Sequence, residues 1–245
     1  YTPSEIHTFR TLARVLVLSA DSRQKIYGTP DCMATLRDVT DSAVILQHHY
    51  RIGRRICIVA DSIGVHMPNY EPMLQNCQYD ESEYPSSVLP VPSTSVDSQA
   101  EAIVEHLTTQ LDAYPEALIG VIAPTNAIVD QVWDVIARSQ HALVAIKQAN
   151  DEHPEFTEGT RISVSTIHSA KGLEFRAVHI VGAERLQSSV QGINLTFTAI
   201  TRAKTSVHLH HTGTLPGFLE KAIREVQPPR PLPSLASLFG RKGTK

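Results

Sequence analysis

Cysteine and tryptophan are scarce in this chain: 245 residues hold three cysteines and one tryptophan. Cys32, Cys57 and Cys77 are too few and too scattered for a disulfide framework or a spaced zinc motif. Long apolar runs are missing as well. None approaches the ~20 residues of a membrane span, and no signal peptide opens the chain, so a cytoplasmic protein without membrane contact is expected. An excess of positive charge is also lacking. The formal net charge is -3 and the sequence pI near 6.5, which excludes a globally basic nucleic-acid wrapper but leaves room for a local basic groove. The spacing G-x-x-x-x-G-K-[ST] occurs nowhere, so the chain has no Walker A phosphate cradle. Twelve histidines are present, yet none has metal-ligand spacing. His48-His49 precede an aromatic-basic turn and His210-His211 follow a predicted strand; they read as surface and core residues, and no metal site is expected. The first residue is Tyr1 rather than methionine, which suggests a fragment or a processed product.

What is there suffices for a core: 42% of residues are hydrophobic and 19% charged. Short β-rich runs alternate with amphipathic helices. Thr2-Pro3-Ser4-Glu5 reads as a helix start, with a capping threonine, a first-turn proline and a glutamate three residues on. Strands are predicted at Val15 to Leu18, Ala43 to Leu46, Val88 to Val91, Leu118 to Ala123, Leu143 to Ile146, Ile162 to Ser165, Ala177 to Val181 and Val207 to Leu209. Helices are predicted from Thr29-Pro30-Asp31 onward, over Ile52 to Ala60, after a cap at Asp97, and over Ala127 to Ala137, Asn194 to Ala203 and Leu219 to Val226. After Asp97, Ala100, Ile103, Val104, Leu107 and Leu111 recur at helical spacing. Continuous apolar strands alternating with helices indicate an α/β fold, a parallel sheet covered on both faces. The segment 227–245 is rich in Pro, Ser and Gly and reads as a disordered tail.

Ligands of such sheets bind at the carboxyl ends of strands, so polar loops directly after strands are the candidates. Ala20 to Gly28 crowds donors and acceptors after Leu18; a solvated turn is the plainer reading. Gln47-His48-His49-Tyr50-Arg51 follows Leu46. Its aromatic can stack a base while the guanidinium reaches a phosphate oxygen, or Tyr50 packs under the next helix and Arg51 is a surface cation. Thr166 to Phe175 gathers hydroxyls, a histidine and a Lys-Gly pair, able to offer N–H groups and a cation to an anion. Thr198 to Lys204 ends a helix that enters the last strand, where an arginine can stabilise charge on a transferred phosphoryl group. The residues alone stop at an anionic ligand.

Thr166-Ile167-His168-Ser169-Ala170-Lys171-Gly172-Leu173-Glu174-Phe175 resembles the T-x-H-x-x-K-G-L-E-F signature of UvrD/Rep/PcrA-type superfamily 1 helicases. Thr198 to Ala203 is similar to their V-A-x-T-R-A motif. Asp21 to Tyr27 fits G-D-x-x-Q-x-I-Y with Ala20 in place of the glycine, and His49-Tyr50-Arg51 resembles N-Y-R with histidine for asparagine. The four motifs lie in order between Leu16 and Leu209. The resemblance implies RecA-like domains of the P-loop NTPase helicase type, with ATP between two of them and single-stranded DNA across the top. It implies that Gln24 senses the γ-phosphate, that Tyr50 stacks on adenine, and that Arg51 and Arg202 reach the terminal phosphate. Lys171, Gly172 and Glu174 would meet the nucleotide, and Tyr27, Thr166 and His168 the DNA. ATP and Mg²⁺ are the implied cofactors, with the metal ligands and the Walker A and B residues expected upstream of Tyr1.

The departures narrow the expectation. No tryptophan stands at Thr29 or Pro30, where the family often stacks a base. Pro124-Thr125-Asn126 lacks the arginine of an R-T-N element. The stretch 138–161 is too short for the accessory domain many members insert, so translocation is expected more than processive unwinding. Residues 1–49 would close a first RecA-like domain, 50–226 form a second and 227–245 a tail, able to dock a protein partner through Leu235, Leu238 and Phe239. The expected function is the C-terminal half of an ATP-dependent helicase or single-stranded DNA translocase, 3′ to 5′, inactive by itself. Its partners would be single-stranded or partly duplex DNA and the N-terminal half. The competing reading is a non-catalytic nucleic-acid-binding or docking module with the same fold.

Overall fold

The computed structural model describes residues 1–26, 32–46, 48–148 and 155–227. Its centre is one six-stranded, all-parallel sheet of order β1-β6-β5-β2-β4-β3. The strands are β1 (Ser87–Ser93), β2 (Ile119–Ala123), β3 (Ala145–Gln148), β4 (Ile162–Thr166), β5 (Phe175–Ile180) and β6 (Ala203–Thr212). The helices are α1 (Pro3–Leu12), α2 (Met33–Val39), α3 (Arg54–Gly64), α4 (Val96–Ala113), α5 (Asn126–Ile136), α6 (Val190–Ile200) and α7 (Gly217–Arg224).

Alternation along each strand divides the core into two layers. Ile119, Val121 and Ala123 of β2, with Ala177 and the following Val181 from β5, meet Ile103 and Leu107 of α4 and Ile128, Val129 and Val132 of α5. The opposite pleat, with Val178 and Ile180 of β5 and Val207 and Leu209 of β6, meets α3, α6 and α7 through Ile56, Val59, Ile63, Phe197, Ile200 and Leu219. Central strands buried on both sides have no polar face to expose, which explains the near-continuous apolar runs read from the sequence.

Two predicted strands do not form. Residues 15–18 and 43–46 carry no ladder, and Val15, Val17, Val44, Ile45 and Leu46 are each more than three-quarters exposed. Their apolar composition suits a strand, but a strand is completed only by a neighbour, and no described strand adjoins them. Other differences concern boundaries. The cap of α4 is Ser95, not Asp97: Ser95 Oγ accepts from Ser98 N–H and Ser98 Oγ from Ser95 N–H, a reciprocal box. A 3₁₀ turn takes residues 142–144, so β3 begins two residues later than predicted. α6 starts at Val190 and stops at Ile200, with Ala203 already in β6. β6 runs ten residues and includes His210 and His211, because its inward polar side chains find one another instead of ending the strand. The capping box at Thr2 forms as read. Tyr27, Thr29 and Pro30, and the tail from Pro228 with Leu235, Leu238 and Phe239, lie outside the described residues.

Candidate nucleotide and nucleic-acid site

The Thr166–Phe175 segment crosses the sheet from one end to the other. Thr166 ends β4 beside Ala123 at the carboxyl end of β2, whereas Phe175 begins β5 opposite Ala203, the first residue of β6. Ile167 and Ala170, both fully buried, anchor the crossover in the core, and Phe175 presses on Gly120. Gly172 has φ +94°, a left-handed turn that glycine adopts without strain. The expectation that every polar loop sits at carboxyl ends is therefore corrected: Thr166 and His168 lie there, while Glu174 and Arg202 lie at the amino ends of β5 and β6.

At that amino end several distant segments meet. Arg202 is 4% exposed. Its Nε donates to the Thr198 carbonyl at 3.2 Å, Nη1 to the Leu173 carbonyl at 3.2 Å and Nη2 to Gln24 Oε1 at 2.9 Å. Gln24 in turn donates from Nε2 to Asp21 Oδ2 at 3.1 Å. Asp21 caps the 3₁₀ turn Ser22–Gln24 and pairs with Arg23 at 2.8 Å. That turn is held against α6, whose Gln191 and Asn194 side chains donate to the Ile26 and Lys25 carbonyls at 3.2 and 2.9 Å. Glu174 accepts an ion pair from Arg51 on one oxygen and from Lys204, 3.3 Å away, on the other. Gly53 N–H bonds the Lys204 carbonyl at 2.8 Å, fixing the turn after Arg51 to the start of β6.

The charges there are coupled. Burial lowers the Arg202 pKa and the neighbouring Arg51 cation lowers it further, with Glu174 and Asp21 opposing. Burial acts to raise Glu174, but the Arg51 and Lys204 cations outweigh it and hold the carboxyl below its usual range. Asp21 behaves likewise: burial opposes ionisation, and Arg23 and Gln24 overcome it. Cationic groups collected around one carboxylate make a place able to receive further anionic oxygen.

Of the sequence candidates, the fold brings Gln24, Arg51, Glu174 and Arg202 together. Tyr50, adjoining Arg51, is 71% exposed with its ring facing solvent. Lys171 and Gly172 lie on the exposed crossover. Thr166 accepts from Ser169 N–H at 3.1 Å, closing the turn that carries the half-buried His168. Lys204 was not singled out from sequence, although it stands two residues after Arg202; its role depends on where Glu174 arrives, which spacing does not reveal.

Residues 161–210 match the family model of the UvrD-like helicase C-terminal domain. Over that stretch the chain is similar to the UvrD-like helicases. The match holds the crossover, α6 and Arg202. No curated protein matches the chain. Among solved structures, the C-terminal domain of a possible DNA helicase from Lactobacillus plantarum WCFS1 is similar, with a TM-score of 0.50 and 19% identity over 71% of this chain and 93% of that one. At that identity the likeness speaks for the fold alone, that of a helicase C-terminal domain. No helix among the described residues is long and apolar enough to cross a membrane.

Two clusters absent from the motif reading also appear. His49, Cys57 and Cys77, far apart in sequence, bring one ligand atom each within 4.8 Å of one another, as do His106, His179 and His210. Metal-ligand spacing could not reveal them, because each set is assembled by tertiary contacts.

Proposed function

We propose that this chain supplies the C-terminal half of an ATP-driven helicase or single-stranded DNA translocase, moving 3′ to 5′, in which Arg51 and Arg202 act on the terminal phosphate of ATP. The observation that carries this reading is the convergence of Arg202, Gln24, Arg51 and Glu174 at the amino ends of β5 and β6. The residues fit the far side of a nucleotide: two arginines, a lysine, an exposed aromatic ring and one ribose-capable carboxylate. They do not include a phosphate cradle or Mg²⁺ ligands, which belong to the N-terminal half in this reading. Bound ATP with Mg²⁺ supplies the phosphoryl group whose transfer to water drives movement.

In that reaction this chain's side chains position and neutralise rather than form covalent bonds. Arg202, already held by two carbonyls, points its remaining nitrogen at Gln24, so a change at the phosphate is felt directly by the Asp21–Gln24 turn. Arg51 is free to exchange its exposed Glu174 contact for phosphate oxygen. Tyr50 offers its face to the adenine, and Glu174, relieved of Arg51, can turn to the ribose. Thr166 and His168, at the opposite end of the strands, would face DNA, with Tyr27 assigned to the same track. The crossover thus joins the two ends by eight residues, a short mechanical path from nucleotide to track.

The test joins this chain to the half carrying the Walker residues and measures DNA-stimulated ATP hydrolysis. Arg51→Ala, at a half-exposed position, is expected to lower turnover by ~100-fold or more. Unchanged turnover with normal folding would remove the arginine roles and leave a binding module.

A further inference from the structure

A cluster of four imidazoles lies on the α4 face of the sheet, away from the nucleotide site. His179 of β5 is paired in register with His208 of β6, and their rings stack with centroids 4.8 Å apart. His210 lies two residues farther along β6 on the same pleat, and His106 of α4 covers them at 5.0 to 6.0 Å. His179 and His210 are wholly buried.

The hydrogen bonds fix the tautomers. His179 Nε2 lies 2.8 Å from Gln110 Oε1, an oxygen that can only accept, so the proton of His179 is on Nε2. Its Nδ1 is then a lone pair, and it meets His210 Nε2 at 2.9 Å, which must donate. That leaves the Nδ1 of His210 without a proton, and this atom is buried with no partner among the described residues; the same absence of a partner holds for Nδ1 of His106 and of His208. Orphaned ring nitrogens are unusual, since buried polar atoms nearly always find partners; His106 and His210 each hold one, the third belongs to the neighbouring His208, and both nitrogens of His179 are engaged.

We propose that His106, His179 and His210 form a binding site for a divalent first-row transition ion of the Zn²⁺ class, with Gln110 orienting His179. One ring nitrogen from each histidine lies within 4.8 Å of the others. Tetrahedral zinc, with bonds of about 2.0–2.1 Å, sets its nitrogens about 3.3 Å apart, so closure needs only side-chain adjustment. A metal-bound imidazole usually donates its other N–H to an oxygen that fixes the ring, and Gln110 already occupies that place. Nitrogen-only donors exclude Mg²⁺ and Ca²⁺, which take oxygen. An open cavity of about 310 Å³, lined by His106, Gln110, Tyr114 and His208 among others, lies beside the cluster and reaches its outermost ligand, His106; His179 and His210 lie behind that lining.

The experiment uses the whole chain without a histidine tag, exposed to Zn²⁺ or Co²⁺ and then dialysed. One tightly held equivalent is expected, with visible Co²⁺ absorption typical of tetrahedral nitrogen ligation and no sulfur-to-metal band. His106→Gln, at a half-exposed position, is expected to weaken binding by more than ~100-fold, and Gln110→Ala by about 10- to 100-fold, the range for an orienting partner. The double variant Cys57→Ser with Cys77→Ser should keep the equivalent. No uptake by the folded chain, or uptake abolished by the cysteine variant and kept by His106→Gln, overturns the proposal. X-ray absorption of the zinc-loaded unmodified chain decides independently of any variant's folding: nitrogen-only scattering supports the site, and sulfur scattering sinks it.

Discussion

Arg202 and Gln24, 178 residues apart, are joined by a single hydrogen bond of 2.9 Å. The bond is asymmetric in what it secures. Gln24 is a half-buried residue of a short turn, whereas Arg202 is a buried cation whose other two contacts are to backbone carbonyls. Removing Gln24 leaves Arg202 two partners; removing Arg202 takes the donor from the Leu173 carbonyl and leaves the Thr198 carbonyl only the Thr201 hydroxyl at 3.2 Å. Arg202→Ala is therefore expected to lower unfolding free energy by about 1–3 kcal/mol, and Gln24→Ala by no more than about 1 kcal/mol. Urea unfolding of the two variants checks the order. Equal losses would mean that Arg202 contributes nothing through the carbonyls. Any activity assay on Arg202→Ala therefore needs a stability control.

Glu174 titrates where its cations can be read. Its folded pKa lies below its ordinary value because Arg51 and Lys204 outweigh the opposing effect of burial. A depressed carboxyl stabilises the fold above its unfolded pKa of about 4.3, and the contribution disappears as pH falls through the folded value. The difference between the unmodified chain and Glu174→Gln should be flat from neutral pH to about 5 and then shrink towards zero. Since both partners are more than a third exposed, the flat value should be within about 1 kcal/mol and fall with added salt. A gap that grows on acidification contradicts the assignment.

Two glycines of the crossover region should respond differently to alanine. At Gly172 a Cβ meets nothing within 4 Å, but φ is +94°, so the penalty is conformational, about 1 kcal/mol. At Gly120 of β2 a Cβ would lie 2.7 Å from the buried Phe175 ring. Relief requires moving the residue that starts β5, and overpacking of this kind costs about 1–3 kcal/mol. Thermal unfolding should rank Gly120→Ala below Gly172→Ala; the reverse order would mean that Phe175 is not seated as described.

The parallel sheet was legible because β2 buries both pleats and reads as an apolar run, whereas β4 alternates Ile162-Ser163-Val164-Ser165 with its serines buried as well, and β5 carries Arg176 and His179 among apolar residues. β6 was only partly legible. Its Val207 and Leu209 announced a strand, but Ser206, His208 and His210 look like chain leaving a core unless their partners on β5 and α4 are known. The convergence of Gln24, Arg51, Glu174 and Arg202 was expected from four motifs in order, which carry information that single residues lack. Lys204 and the histidine cluster were not legible, because a charge or an imidazole acquires its meaning from neighbours that the fold supplies. The strands expected at 15–18 and 43–46 show the converse: composition can propose a strand, but only an adjoining ladder makes one.

Those two segments yield the last prediction. Val15, Val17, Val44, Ile45 and Leu46 are 78 to 88% exposed, and their backbone groups have no strand beside them among the described residues. Exposed apolar residues on chain with no strand beside it invite a strand partner or self-association. In the proposed helicase the partner is the N-terminal half, whose sheet these segments would extend. The chain by itself should then bind a hydrophobic dye and be cut by protease within 13–20 and 40–46 well before the sheet is attacked. Changing Val17, Ile45 and Leu46 together to threonine should reduce dye binding and aggregation while leaving the unfolding midpoint of the six-stranded core within about 2 °C, since exposed substitutions usually change stability by no more than ~0.5 kcal/mol. A large drop in that midpoint would mean that these side chains already pack against the core, and that no further sheet is needed to cover them.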